Sequence, residues 1–505
     1  MHNTGRILLV LPFDNRTGQP SLEWVREAAP ELLSSRFSSA GFSPMSREDR
    51  LYALDHLGLP QGFQPSRASS LKLAQTLDAD SIIVGSYWTD PSGFIAEAQV
   101  VDVSHLRMSQ AVTERGQMQD LIAIFDSLAW KLTRQLDPSF NVAEQTFVAA
   151  GAGLRLDAFE QYIRGISEPD QAERLRHLNQ AVKLSPGYSE AWMALGREDY
   201  NGQQFEQAAA AFAKVEHNDP DALEAGFYRG LSLLYSGDYG QAEKAFADVA
   251  RVLPLAEVVN NEGVALSRGG RDGIAYYRQA ETSDPRAADY HFNIAVSLKR
   301  QGDDAGARAE LAQCLRLRPG DNEAQALDHA WKTPPGTASD DSDIRPDPLE
   351  RIERRFDAAA FRQAAQMLDE MQASQLAALA PADRARKLAG RAKSFLDRGL
   401  LLEAERLYQD AVAADNSVAE GHAGLAEVRE RSGDATDARA EAHTALNLAP
   451  SVQAYLVLGR LDLAENHLSD ADNEAGEALK LDPASRPAAE LQRTVESRQA
   501  PKPQM

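Results

Sequence analysis

The sequence has very little cysteine and no long apolar run. Among its 505 residues the one cysteine is Cys314, so neither an internal disulfide nor a cysteine-based metal cage is available. No stretch of about 20 apolar residues occurs, which excludes a membrane-spanning helix. The apolar run at 7–13 is too short to span a bilayer, ends in Pro-Phe and lacks a small-residue cleavage site. We therefore interpret it as a buried strand and not as a signal peptide.

Basic residues are also scarce relative to acidic ones. The chain has 53 Lys and Arg against 75 Asp and Glu, for a net charge of −22. Such a negative field repels phosphate backbones and anionic lipid headgroups, so we expect no nucleic-acid partner. The excess is typical of a solvated surface, and an acidic face for a partner is the alternative interpretation.

Motifs that carry catalysis are absent from the sequence. There is no phosphate-binding G-x-x-x-x-G-K-[ST], no G-x-S-x-G and no His-Glu-x-x-His. The ten histidines are scattered, and the glycine clusters at 151–153 and 269–273 are typical of a hinge and a turn. We predict no catalytic residue, no cofactor and no metal site, although spacing alone cannot nominate or dismiss a pair of carboxylates among so many.

What the sequence does contain is an internal repeat of about 34 residues. Each unit closes on a helix-ending residue. Six of the eight units have an alanine twelve positions before that residue, and most have a glycine about 17 positions before it. The closing positions are Pro186, Pro220, Pro254, Pro285, Pro319, Asn416, Pro450 and Pro483. Alanine permits close helix crossing, glycine permits a left-handed turn, and proline cannot continue a helix. We predict a pair of helices in every unit.

The best-preserved unit resembles the tetratricopeptide repeat. The matching residues are Trp192, Leu195, Gly196, Ala208, Phe212 and Pro220. At least seven units match, and the one that closes at Pro285 is shortened. The resemblance implies stacked helical hairpins that form an all-α superhelix with a concave groove, in two arrays. Cys314 falls where other units carry alanine, so we predict that it is buried.

The first 140 residues follow a different pattern. Strand-like segments at 6–13, 80–88, 93–103 and 107–116 alternate with helical ones at 21–41, 46–58, 66–78 and 120–136. This order predicts an α/β domain with a mixed sheet of about five strands. We expect Pro30 to kink or interrupt its helix.

Three short stretches of this region resemble the TolB amino-terminal-like family. They are the Val-Leu-Pro-Phe at 10–13 with Asn15 and Gly18, the segment at 79–86, and the segment at 98–103. Thr17, Ala79 and Ser81 depart from the family pattern. The resemblance implies association with a bacterial envelope or regulatory assembly and implies no reaction. For the localisation two alternatives stay open: the sequence, in which we find no signal peptide or membrane span, favours the cytoplasm, whereas the resemblance favours the periplasm or cell envelope.

These observations divide the chain into five regions. We predict an α/β domain at 1–140, a first repeat array at 150–330, a flexible acidic and Pro-rich linker at 331–348, a second array at 349–497, and a disordered tail at 498–505. The second array is expected to begin with an extra helical hairpin, because helical sequence resumes at Leu349.

The function that this organisation favours is a non-enzymatic scaffold. The groove of such arrays holds a partner's peptide or helix. We predict a peptide-binding site in the first array at Asn261, Arg268, Asn293, Lys299 and Arg300. Asparagine can bond a partner's backbone, and a basic spot on an acidic chain suits an acidic or carboxylate-ended peptide. Equally, the two asparagines could recur through repeat duplication alone.

The alternative is that the first domain senses a ligand or catalyses a reaction while the repeats serve for docking. Such a role would require polar side chains to converge at the carboxyl ends of the strands, near Asp14, Asn15 and Ser86.

Overall fold

The computed structural model describes residues 7–60, 66–216, 219, 221–332, 348–356, 367 and 371–499. These residues form two compact units. The first combines 1–167 with 373–505, and the second is 168–372. Most of the predicted linker and of the predicted tail lies outside the described residues. In the described part of the chain, no helix is long and apolar enough to cross a bilayer.

The first unit opens with a mixed sheet. Its strands are β1 (Ile7–Val10), β2 (Asp14–Asn15), β3 (Ser43–Pro44), β4 (Ser81–Asp90), β5 (Gly93–Asp102), β6 (Arg107–Met108) and β7 (Val112–Gly116). The strands β3, β1 and β4 are parallel, β4 and β5 are antiparallel, β6 and β7 both pair with β5, and β2 pairs with β4. The described strands thus fill about five positions, which confirms the predicted mixed sheet.

Four helices cover this sheet: α1 (Val25–Ser39), α2 (Arg47–His56), α3 (Arg67–Thr76) and α4 (Leu121–Leu136). Alternate residues of a strand face opposite sides, and the two sides of β5 carry separate parts of the core. Val101 packs with α2 and α3, whereas the Phe94 ring lies 6.4 Å from that of Phe125 in α4.

Pro30, which we expected to kink or interrupt its helix, does not interrupt α1. The helix runs unbroken from Val25 to Ser39 with Pro30 buried inside it. Proline removes the N–H that would bond the carbonyl four residues earlier, which belongs to Arg26. That carbonyl instead accepts a hydrogen bond from the Phe13 N–H at 3.2 Å. The strand region therefore supplies the donor that the helix lacks.

The first unit also contains the second repeat array. After α5 (Glu144–Ala150) and α6 (Leu156–Ser167), residues 371–377 are helical, and the array follows. Its helices are α17 (Pro381–Asp397), α18 (Leu401–Ala414), α19 (Ala419–Arg431), α20 (Ala435–Leu448), α21 (Val452–Ala464), α22 (Leu468–Leu481) and α23 (Arg486–Gln499).

Helix α5 packs against α18 and α19, and a buried carboxylate joins them. Glu405 is fully buried; it accepts the Ala143 N–H at 3.1 Å and pairs with Arg429 at 2.8 Å. Burial raises the pKa of Glu405 above its ordinary value, although Arg429 counters this. The end of the α/β domain is thereby fixed to the second array.

The second unit is the first repeat array. Its helices are α7 (Gln171–Leu184), α8 (Ser189–Asn201), α9 (Phe205–Phe212), α10 (Ala222–Ser236), α11 (Tyr239–Val252), α12 (Ala256–Arg268), α13 (Ile274–Ser283), α14 (Ala288–Arg300), α15 (Asp304–Leu317) and α16 (Asn322–Lys332). The array was expected from residue 150, but α6 groups with the first unit.

The landmarks of the repeat occupy their expected positions. The alanines that precede each closing residue by twelve are all fully buried; they are Ala208, Ala242, Ala307, Ala404, Ala438 and Ala471. Gly237, with a φ of 86°, makes the predicted left-handed turn. Gly202 does not, because its φ is −76° and the left-handed residue there is Gln203.

Candidate functional site

A segment of the chain itself lies along the first array. Residues 348–356, which we call the docked segment, form neither helix nor strand. A helical hairpin was expected to begin at Leu349, so the prediction is wrong for these residues. The docked segment contacts α12, α14 and the start of α16. We call the side chains that contact it the groove.

Two asparagines bind alternate residues of the docked segment. Asn261 Nδ2 donates to the carbonyl oxygen of Glu353 at 2.8 Å, and the Glu353 N–H donates to Asn261 Oδ1 at 2.9 Å. Asn293 forms the same pair of bonds with Arg351, at 2.9 and 2.6 Å. Residues two apart on an extended chain present their N–H and C=O groups along the same edge. The side chains of Asn261 and Asn293, which we call the clamps, therefore bind the backbone of the docked segment and not its side chains.

A third amide connects the two clamps. Asn260 Nδ2 donates to the Arg351 carbonyl oxygen at 3.1 Å, and its Oδ1 accepts from Asn293 at 2.8 Å. All three asparagines are at most 1% exposed. Buried amides require hydrogen-bond partners, and the docked segment's backbone provides several of them. These side chains are thus arranged to hold a chain in this position.

Basic side chains hold the amino-terminal end of the docked segment. Arg268 donates to the Glu350 carbonyl oxygen at 2.9 Å, and Arg300 donates to the Pro348 carbonyl oxygen at 3.0 Å. Arg300 also forms an ion pair with the Glu350 carboxylate, which is almost fully buried. The Oε2 atom of that carboxylate has no hydrogen-bond partner among the described residues. The hydrogen bonding of the Glu350 carboxylate in the groove is therefore incomplete among the described residues.

An acidic pocket receives Arg351. Its guanidinium donates to both oxygens of Asp321, at 2.6 and 2.8 Å, to Asp289 at 2.9 Å and to Glu323 at 3.0 Å. It also lies 3.7 Å from the centroid of the Phe292 ring. Burial opposes the charge, but the hydrogen bonds to Asp321 and Asp289 outweigh it and raise the pKa of Arg351. Two-point pairing with ring stacking is specific to arginine.

Apolar contacts contribute less to docking. Ile352 and Phe356 pack, partly buried, on the core of the first array, and the Phe356 ring lies 5.7 Å from that of Phe227. Leu349, Arg354 and Arg355 are exposed. The docked segment is thus held mainly by hydrogen bonds and ion pairs.

The structure brings four of the five predicted site residues onto the docked segment: Asn261, Arg268, Asn293 and Arg300. Lys299 instead donates to Asp304 at 2.6 Å and lies over the Trp331 ring. The predicted basic spot is accompanied by an acidic pocket that sequence reasoning missed. The sequence did contain a signal for the third amide of the groove, because Asn260 directly precedes the predicted site residue Asn261.

One cluster of the first array resembles a metal-binding set. His291 Nδ1 lies 2.8 Å from Glu310 and 3.8 Å from Glu281. In the second array, His422 and Glu441 form an equivalent pair at 2.7 Å, each at the same position in its helix. We interpret the pair as a contact inherited with the repeat. Cys314 is fully buried as predicted, and burial raises its pKa to about 11.

The polar residues proposed at the sheet edge are engaged in local structure. Asn15 donates to Glu23 at 2.9 Å and accepts from Thr17 at 2.6 Å. Asp14 and Ser86 are partners in the β2–β4 pairing. These contacts fix the loop that follows β2.

Comparison with known families shows that the chain contains tetratricopeptide repeats. The tetratricopeptide repeat family model matches residues 193–254, 264–322 and 389–452. The first two matches lie in the first array and the third in the second array, which confirms the predicted repeats. No curated protein matches this chain.

Several solved structures are similar at low identity. MamA from Desulfovibrio magneticus RS-1 is 20% identical over 34% of this chain and 99% of its own, with a TM-score of 0.30. YrrB, described as a tetratricopeptide repeat protein with an unusual peptide-binding site, is 15% identical over 41% of this chain and 100% of its own, with a TM-score of 0.31. The first repeat domain of Spaghetti (RPAP3), bound to the HSP90 peptide SRMEEVD, is 20% identical over 23% and 94%, with a TM-score of 0.22.

Proposed function

We propose that this chain is a non-enzymatic protein-interaction scaffold whose first array binds an extended segment of a partner protein. The observation that supports it is the pair of asparagine clamps on Arg351 and Glu353. Each asparagine satisfies both backbone groups of one residue, so a partner segment needs only an extended backbone to use them. The resemblance of the first domain to the TolB amino-terminal-like family supports a role in a bacterial envelope assembly.

An extended ligand fits this groove better than a helical one. The backbone groups of a helix are bonded within the helix and are not available to side-chain amides. The clamps bind N–H and C=O groups two residues apart, which a helix does not present along one edge. We therefore propose an extended peptide, whereas the sequence left open whether the ligand is a peptide or a helix.

The test is selection of peptides on the full-length chain. Residues 350–353 of the chain are first changed to Gly-Ser-Gly-Ser, which weakens the docked segment without altering the groove. Random peptides of about a dozen residues are selected on this chain, and their affinities are then measured with the additional changes Asn261→Ala and Asn293→Ala. Four hydrogen bonds are lost, at about 0.5–1 kcal/mol each, so we expect a loss of about 30- to 1,000-fold.

A matched control uses two exposed asparagines of the same array. Asn179→Ala with Asn322→Ala makes the same chemical change outside the groove and should leave the affinities unchanged. Equal binding to both double variants, or failure to recover any peptide, would exclude the groove as the binding site.

A further inference from the structure

We infer that the docked segment occupies the groove in competition with the partner protein and closes it until the partner displaces the segment. The partner's own segment carries an arginine that follows an acidic residue and precedes an apolar one, as Arg351 does. This inference rests on the proposed function and specifies the ligand and the regulation of the same groove. The occupant and its contacts carry it: the clamps, the acidic pocket and the Arg300–Glu350 pair all bind residues of this chain.

The contacts of the docked segment are of a kind that a segment of another protein can replace. A permanent structural element is usually fixed by large apolar burial. In the docked segment, the apolar side chains Ile352 and Phe356 pack on the core of the first array but remain partly exposed. The polar contacts use backbone groups, one arginine and one glutamate, all of which another extended chain can supply. Glu350 is buried with one oxygen unpaired among the described residues. A partner with a better-matched residue there has an advantage over the docked segment.

The acidic pocket determines the chemistry of the partner. Asp321 accepts two parallel bonds, and Phe292 presents its ring face to the guanidinium. A lysine ammonium cannot make the bidentate contact and stacks less well. The clamps, in contrast, bind any backbone. Selectivity for the partner therefore comes from the pocket and general affinity from the asparagines.

The docked segment competes strongly with a free peptide because it belongs to the same chain as the groove. Fifteen residues separate Lys332 at the end of α16 from Pro348. For a tether of this length the effective concentration is on the order of 1 mM. A free peptide identical to the docked segment should therefore bind the unaltered chain only in the millimolar range.

The test measures binding of a fluorescent peptide that spans Pro348–Phe356 to four full-length chains. Arg351→Ala weakens the docked segment but leaves the groove intact, so its affinity for the peptide should exceed that of the unaltered chain by roughly 10-fold or more. Glu350→Ala should give a gain in the same direction through a different contact. Arg355→Ala changes an exposed arginine of the same segment and should match the unaltered chain.

Two further arms test the site and the chemistry. Adding Asn261→Ala and Asn293→Ala to Arg351→Ala should abolish the gain, and a peptide with lysine in place of Arg351 should bind the Arg351→Ala chain at least about 10-fold more weakly. Circular dichroism verifies that each chain is folded.

The outcomes separate the two proposals. Equal peptide affinity for the unaltered and Arg351→Ala chains would overturn the closed groove, while selected peptides that require the asparagines would still support the proposed function. Equal binding of the arginine and lysine peptides would overturn the partner's chemistry. Loss of all binding, including that of the selected peptides, would overturn both proposals.

Discussion

Replacing Gly424 with alanine tests how closely the paired helices of the second array approach. Gly424 lies in the middle of α19, and a Cβ atom there would be 1.9 Å from Cε1 and 2.1 Å from Cζ of Tyr408 in α18. Tyr408 is 1% exposed, so its ring has little room to move away. Gly390 in α17 is the matched control, because no described atom lies within 4 Å of a Cβ at that position.

Both substitutions replace a helical glycine with alanine, but only Gly424→Ala places the new methyl group against a buried side chain. Glycine in a helix interior is less favourable than alanine by about 0.5–1 kcal/mol, so both changes gain that amount. Gly424→Ala alone overpacks a buried contact, which typically costs about 1–3 kcal/mol. We therefore expect Gly390→Ala to stabilise the array, and Gly424→Ala to be less stable than Gly390→Ala by about 1–3 kcal/mol.

Hydrogen exchange of the full chain, measured by mass spectrometry on peptides from 381–431, reports the local free energy of opening for both variants. Both glycines lie in the same unit, so the comparison does not depend on the other unit. Combining Gly424→Ala with Tyr408→Leu should recover part of the loss, because the smaller side chain leaves space for the new methyl group. If both glycine variants were stabilised equally, the close contact between Gly424 and Tyr408 would be refuted.

Three further predictions concern other buried groups. Ala242→Leu should destabilise the first array by about 1–3 kcal/mol in chemical denaturation, because Ala242 is fully buried at a helix crossing; an unchanged midpoint would contradict that packing. Cys314 should resist a thiol reagent at about pH 8 until the chain is unfolded, when one thiol per chain reacts. Burial raises the pKa of Glu405, so the folded state holds this proton more tightly than the unfolded chain, and the group's contribution to stability falls as pH rises from the unfolded pKa to the folded one. Glu405→Gln should remove that part of the pH dependence, at pH values above the unfolded pKa of Glu405, in denaturation experiments; an unaltered dependence would show that Glu405 is not the group responsible.

The repeat arrays were predictable because their signal is periodic. Each landmark recurs at a fixed distance from a closing residue, so one accidental match does not affect the inference. Asn261 and Asn293 were found in the same way, since each is the sixth residue of its helix. The sheet followed from alternating strand and helix patterns, which are also local.

The docked segment was mispredicted because its local pattern is helical. Leu349, Ile352 and Phe356 are spaced at three and four residues, as on one face of a helix. The asparagine side chains bind backbone groups that a helix would use internally, and these tertiary contacts override local propensity.

Contacts between distant parts of the chain left no signal in one sequence. The acidic pocket combines Asp289 in α14 with Asp321 and Glu323 at the start of α16, and 75 acidic residues give no reason to select these three. The contact of Glu405 with the Ala143 N–H joins residues 262 positions apart. Neither pairing follows a period, so only the folded chain brings them together.

The clamps bind backbone and the acidic pocket binds a side chain, and this difference determines how a partner can bind more tightly than the docked segment. For a partner that binds as well as the docked segment does, the apparent dissociation constant equals the effective concentration of that segment, about 1 mM. A partner that acts at about 1 μM must bind the open groove about a thousand times better, a difference of roughly 4 kcal/mol. The clamps cannot supply this difference, because they bind every extended backbone alike. It must come from side chains. Arg351 already fills the acidic pocket, so the position of Glu350, whose Oε2 atom is unpaired among the described residues, is where a partner's side chain can improve on the docked segment.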